Sequence, residues 1–160
     1  MWFFMITCYV TSLLSFIMLG IALLQSYFHF HVFQANEVTF IILTSIVYLF
    51  TETLIMFFFV GTGVSIKEYT QMHQLKPDFH KKSLAIKFKV YPPQLLNILF
   101  MMILFILVGA VDTGRIPEWA YQLFFWFCLA HYIFIKKIQN RCFRDNTENI
   151  LAMSGLKLGI

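Results

Sequence analysis

VTFIILTSIVYLFTETLIMFFFVGTGVSI, residues 38–66, contains apolar and hydroxyl-bearing side chains, two glycines and a single carboxyl, Glu52. A helix over this stretch rises 1.5 Å per residue and exceeds the roughly 30 Å of hydrocarbon in a bilayer. It is too long for a core strand or a short core helix. A similar apolar run extends from about Trp2 to Leu24, and two shorter ones cover about Leu95 to Val111 and Trp119 to Ile135. The shorter runs cross a bilayer with little tilt. The expected fold is an all-α integral membrane protein: one domain over residues 1–160, a four-transmembrane-helix bundle, with a cytoplasmic loop over about 67–91 and a cytoplasmic tail over about 136–160.

Composition agrees with lipid as the solvent. Of 160 residues, 59% are hydrophobic and only 12% are charged, against roughly one quarter charged in soluble domains. The formal charge of +4 does not indicate nucleic acid, because the basic residues sit between apolar runs and are not interleaved with stacking aromatics. Cys8, Cys128 and Cys142 form no C-x-x-C pair and are odd in number, which argues against a thiol oxidoreductase or a disulfide framework. They are expected to be reduced. The opening Met-Trp-Phe-Phe lacks the basic region of a secretory signal, so the first run is expected to be a retained helix.

The basic residues set the orientation. Lys67, Lys76, Lys81, Lys82, Lys87 and Lys89 lie between the second and third runs, and Lys136, Lys137, Arg141, Arg144 and Lys157 follow the fourth. Of the twelve lysines and arginines, only Arg115 falls on the opposite side. The positive-inside rule then places both termini in the cytoplasm, and the bacterial inner membrane is the expected location. Pro92 and Pro93 suit the first turn of the third helix, Gly114 its end, and Pro117 with Glu118 the start of the fourth. The polar first half of the 67–91 stretch can continue the second helix beyond the membrane, and Leu84 to Val90 is expected to lie along the lipid headgroups, with Lys81, Lys82, Lys87 and Lys89 reaching the anionic surface. Asp145-Asn146-Thr147-Glu148 resembles a capping box opening a short surface helix that Gly155 stops.

Glu52 is the candidate proton-binding residue. A carboxyl at mid-membrane costs about 2.5 to 3.5 kcal/mol on insertion scales and faces the bundle interior. Its helical stripe holds Ser45, Tyr48, Met56, Phe59 and Gly63, and Ser12 and Ser15 of the first run fall at comparable depth. One role is a carboxyl, neutral at rest, that exchanges a proton; the other is a protonated group that bonds two helices together. Gln94, Asn97 and His131 enter the third and fourth helices at similar depth and complete the candidate polar network.

His80 and His131 are the candidate ligands for a metal or haem. Only His131 is embedded, and a bis-histidine haem needs two embedded nitrogens on facing helices. The methionines and Cys128 of the apolar runs are gap-fillers more than a copper site. Gly61-Thr62-Gly63 lacks the Gly-Lys-Ser/Thr ending of a phosphate loop and fits close helix approach instead. No Ser-His-Asp order, H-E-x-x-H or carboxylate pair points to hydrolysis. The expected function is therefore non-enzymatic: a subunit or accessory protein of a larger membrane assembly, with the lipid bilayer and other membrane subunits, or a second copy, as partners. Two alternatives stand beside it: a redox or proton-handling protein binding haem or quinone near Glu52 and His131, and a small proton-coupled transporter.

The charge distribution yields a topology test. Reporters placed near His80 and after Ile160 are expected to read cytoplasmic and one near Gly114 external; His80 and Gly114 on the same side would remove the hairpin of the third and fourth helices.

Overall fold

The computed structural model describes residues 2–32 and 34–155 and folds them into helices α1 (Trp2–Phe28), α2 (Glu37–Met72), α3 (Asp78–Asp112) and α4 (Glu118–Met153). Lys157, counted above with the basic tail, lies outside these residues, as does Ile160. α1, α2 and α3 are each long and apolar enough to cross a membrane. α4 is less apolar, because Gln122, His131 and Lys136 interrupt its aromatic and aliphatic residues.

The helices bury an apolar core with polar side chains set into it, and many of their large apolar side chains are exposed, as a surface in lipid requires. The inward stripe of α3 runs Ser83, Ile86, Val90, Gln94, Asn97, Met101, Leu104 and Val108. The facing stripe of α4 runs Tyr121, Phe125, Cys128, Tyr132, Ile135, Gln139, Cys142, Asn146 and Asn149. Steps of three and four keep each stripe on one helical face. Outside, large side chains such as Phe3, Leu13, Ile46, Phe57, Ile106 and Leu123 stand exposed. The three cysteines are buried and free.

Helix ends follow local chemistry. Asn36 caps α2 by accepting from the Thr39 N–H at 2.9 Å, and Glu37 occupies the first turn. Gly114 takes a positive φ of 68° after α3, a conformation a side chain resists. Pro117, with φ near −70°, precedes Glu118 at the start of α4. Gly155, φ 74°, ends α4. Gly114, Pro117, Glu118 and Gly155 thus act as the sequence suggested.

The basic side agrees with expectation in the continuation of α2 and differs in the rest. Residues 67–91 are not a loop: α2 continues to Met72, a short turn follows, and α3 starts at Asp78. A helix of 36 residues is about 54 Å long, so it projects beyond roughly 30 Å of hydrocarbon. Pro92 and Pro93 lie inside α3, not in its first turn. They leave the carbonyls of Phe88 and Lys89 without helical donors, and both of those residues are exposed, where polar surroundings can replace the lost bonds.

Leu84 to Val90 is likewise part of α3. Ile86 and Val90 point inward, Lys89 sits 4.0 Å from Asp145 of α4, and Lys81 and Lys82 are exposed. Lys87 is half-buried over Gly63; a Cβ at that position would meet its Cε and Nζ. Burial lowers the Lys87 pKa. Gly63 thus leaves room for the end of the Lys87 side chain and for the Ser83 hydroxyl of α3, whereas Gly61 faces open space. The tail is also one helix: α4 passes through 145–148 without a cap. Thr147 donates back to the Phe143 carbonyl at 2.9 Å and Asn149 donates to the Phe79 carbonyl of α3 at 3.0 Å. Long-range bonding of this kind overrides the local capping signal.

This helical basic side makes a checkable distinction. Proteinase K applied to the protein in proteoliposomes is expected to cut between His73 and Pro77 and to spare 81–89; cleavage spread across 81–89 would restore the flexible loop.

Candidate functional site

The Glu52 carboxyl is fully buried, and α4 brings it a counter-ion. Lys136 Nζ stands 2.9 Å from Glu52 Oε1. It also donates to Gln139 Oε1 at 2.8 Å and to Ser12 Oγ at 3.2 Å. An ammonium has three N–H groups, and all three are used. Gln139 Nε2 donates to Glu52 Oε2 at 2.9 Å, so the second carboxyl oxygen is occupied as well. Gln94 Nε2 of α3 donates to the Glu52 main-chain carbonyl at 2.7 Å. The ammonium lies 4.6 Å from the centroid of the Tyr132 ring, within cation–π range, while the Tyr132 hydroxyl donates to the Ser12 carbonyl at 2.9 Å. One cluster thus ties together all four helices.

Closure of this network is what makes it tolerable. Removing two charges from water costs several kcal/mol per ion, and their attraction offsets that only with good geometry and the remaining donors and acceptors paired. Glu52 meets both conditions here. Lys136 is 22% exposed at its side chain, toward a groove of about 310 Å³ between α1 and α4. Tyr9, Ser12, Phe16, Tyr132, Lys136 and Gln139 line it. Tyr9 donates across it to Asn140 Oδ1 at 2.6 Å. Farther along the same helices, Gln122 donates to the Ser26 carbonyl at 2.9 Å and Trp126 to the Tyr27 hydroxyl at 3.1 Å.

A second polar layer lies beside the first. His131 Nδ1 is 3.0 Å from Asn97 Oδ1, and the imidazole meets the Phe100 ring edge to face at 4.8 Å between centroids. Tyr48 donates to the Asn97 carbonyl at 3.5 Å. Ser15 pairs with Thr51 at 2.9 Å. Gln94 Oε1 and Asn97 Nδ2 are buried without a protein partner, the kind of pair an internal water satisfies.

The candidate residues thus separate into groups. Ser12 and Gln94 join Glu52, the first through Lys136 and the second through the main chain. Asn97 and His131 converge with each other, and Ser15 and Tyr48 bind neighbouring helices without reaching the carboxyl. Ser45 does not join, because its hydroxyl donates to Ile41 of its own helix at 2.7 Å. His80 and His131 do not meet: His131 bonds Asn97, which lies 17 residues along α3 from His80, roughly 25 Å away. That separation removes them as joint ligands of one metal or haem. Among the described residues, no three His, Cys, Asp or Glu side chains are grouped to hold a metal ion.

Lys136 and Gln139 were missed as site residues because Lys136 reads as the first cytoplasmic cation after an apolar run. Extending the stripe of Tyr121, Phe125, Cys128 and Tyr132 by whole turns reaches Gln139, with Lys136 one turn after Tyr132. The signal was present in the spacing.

Coupling within the pair is measurable by a double-mutant cycle. Lys136→Met alone is expected to destabilise the protein in detergent by about 3 kcal/mol or more, since it strands a buried carboxylate. Glu52→Gln with Lys136→Met is expected to recover much of that loss; simple additivity of the two single changes would mean that the pair is not coupled. Comparison with protein-family models, with curated proteins and with solved structures finds no match to this chain, so the functional reading rests on this geometry.

Proposed function

We propose that the chain is a non-enzymatic, multi-pass membrane protein with four spanning helices and both termini on the basic, cytoplasmic side, serving as a subunit or accessory protein of a larger membrane assembly. The supporting observation is the closed network around Glu52: its two oxygens and the three Lys136 donors are all engaged inside the chain. Such a centre holds helices together and offers no free reacting group. α4 packs along α3, and Trp119, Leu123, Trp126, Phe127 and Phe134 of its apolar half are exposed, as a fourth spanning helix requires. The one-sided lysines and arginines suit the inner membrane of a bacterium, with Lys81, Lys82 and Lys89 placed to meet anionic headgroups.

Glu52 is the proton-binding carboxyl in this reading. The Lys136 ammonium, 2.9 Å away, is the charge that a proton on Glu52 would leave unpaired. The lateral groove favours a second reading, a redox protein taking a lipid-soluble quinone. It leads from the lipid-facing surface to the partly exposed Lys136 ammonium, where a quinone carbonyl would take the place of Ser12, the longest of its three bonds at 3.2 Å.

Native electrophoresis of mildly solubilised membranes separates the two. The first reading expects the 18.9 kDa chain to migrate in a larger complex with other polypeptides, and migration alone or only as a homodimer would overturn it. The second reading expects a short-chain quinone to raise the thermal stability of the wild type but not of Lys136→Gln.

A further inference from the structure

At the end of the bundle remote from the lysines, the link between α1 and α2 and the adjoining ends of α3 and α4 line an open cavity of about 380 Å³. Gln25, His29, His31, Glu37, Asp112 and Glu118 contribute to its lining. Three carboxylates against two imidazoles leave it acidic. Glu37 and Glu118 stand in the first turns of α2 and α4, where the positive end of a helix dipole already favours a carboxylate. The dipole accounts for those two without any ligand.

Asp112 and Gln25 are not accounted for in this way. Asp112 is the last residue of α3, at the negative end of the dipole, where a carboxylate is disfavoured. Gln25 is 1% exposed. Its amide orientation is set because Nε2 donates to the Phe30 carbonyl at 2.8 Å and the Ala35 carbonyl at 3.2 Å. Oε1 is therefore an acceptor, and it has no partner. An unpaired buried acceptor costs about 1 to 3 kcal/mol. A cationic hydrogen-bond donor in the cavity would relieve both anomalies.

A bare metal ion fits poorly. His29 Nδ1 is 3.9 Å from Glu37 Oε2, while Nε2 on the far side of the ring is 3.9 Å from Glu118 Oε2, so the two carboxylates flank the imidazole and do not converge with it. The volume also falls in the range of small-molecule sites, about 300 to 1,000 Å³. We propose that this cavity binds a small organic cation bearing one or two primary ammonium groups, with Asp112 as its charge partner and Gln25 Oε1 as its buried acceptor. The inference is independent of the proposed function.

The test is calorimetric titration of the full chain in neutral-lipid nanodiscs at pH 8 with 1,4-diaminobutane, and with butane-1,4-diol as the uncharged counterpart. Saturable binding of the diamine and none of the diol is expected. Asp112→Asn, at an exposed helix end, is expected to weaken the diamine about tenfold or more while leaving thermal stability in place. Gln25→Leu is expected to weaken it also, and circular dichroism checks that this variant folds. No saturable diamine binding, equal affinity for the diol, or unchanged affinity in Asp112→Asn would overturn the proposal. Displacement of the diamine by stoichiometric Mg²⁺ or Zn²⁺ would likewise overturn it in favour of a metal site.

Discussion

The rest of the bundle is arranged around the need to compensate a carboxylate placed in the middle of an apolar helix. An isolated charge in such apolar surroundings is expelled or neutralised. Here α4 supplies the ammonium, α3 an amide to the main chain, and α1 a hydroxyl to the ammonium. Each helix is thereby held in rotation as well as in position. A slip of one residue along α4 would turn Lys136 and Gln139 away from Glu52 by about 100°, since a helix has 3.6 residues per turn.

Helix length follows from a second constraint, the disposal of backbone groups. Two helices of 36 residues and one of 35 are longer than the roughly 20 residues that cross a bilayer, and most of their lysines gather at one end of the bundle. There the interior turns polar, with Thr70, Ser83, Asn146 and Asn149 buried. The prolines at 92 and 93 fall near that change of surroundings. Deep in lipid their unpaired carbonyls would each cost several kcal/mol; beside exposed Phe88 and Lys89 the cost is moderated.

The two ends of the molecule contrast in their electrostatics. The lysine end is stapled by direct contacts, Asn149 to Phe79 and Lys89 to Asp145. The opposite end gathers carboxylates and histidines around a cavity and leaves Gln25 Oε1 unpaired. Between them the central pair is closed to all but the lateral groove.

Helical class, the membrane-crossing character of three helices, the inward placement of Glu52 and the turn at Gly114 were legible in the chain, because each depends on local properties: apolar run length, helical periodicity, and a glycine's tolerance of positive φ. Of the three residues that counting put at one depth, Asn97 and His131 lie 3.0 Å apart, while Gln94 bonds the Glu52 main chain instead. The partner of Glu52 was not legible, since it lies 84 positions away, and pairing at that separation depends on which helices are neighbours and how each is rotated. For the same reason the prolines and the capping-box sequence misled. Both are local stop or start signals, and packing of α3 against α4 outweighed them, so that two continuous helices formed where a loop and a separate tail helix were expected.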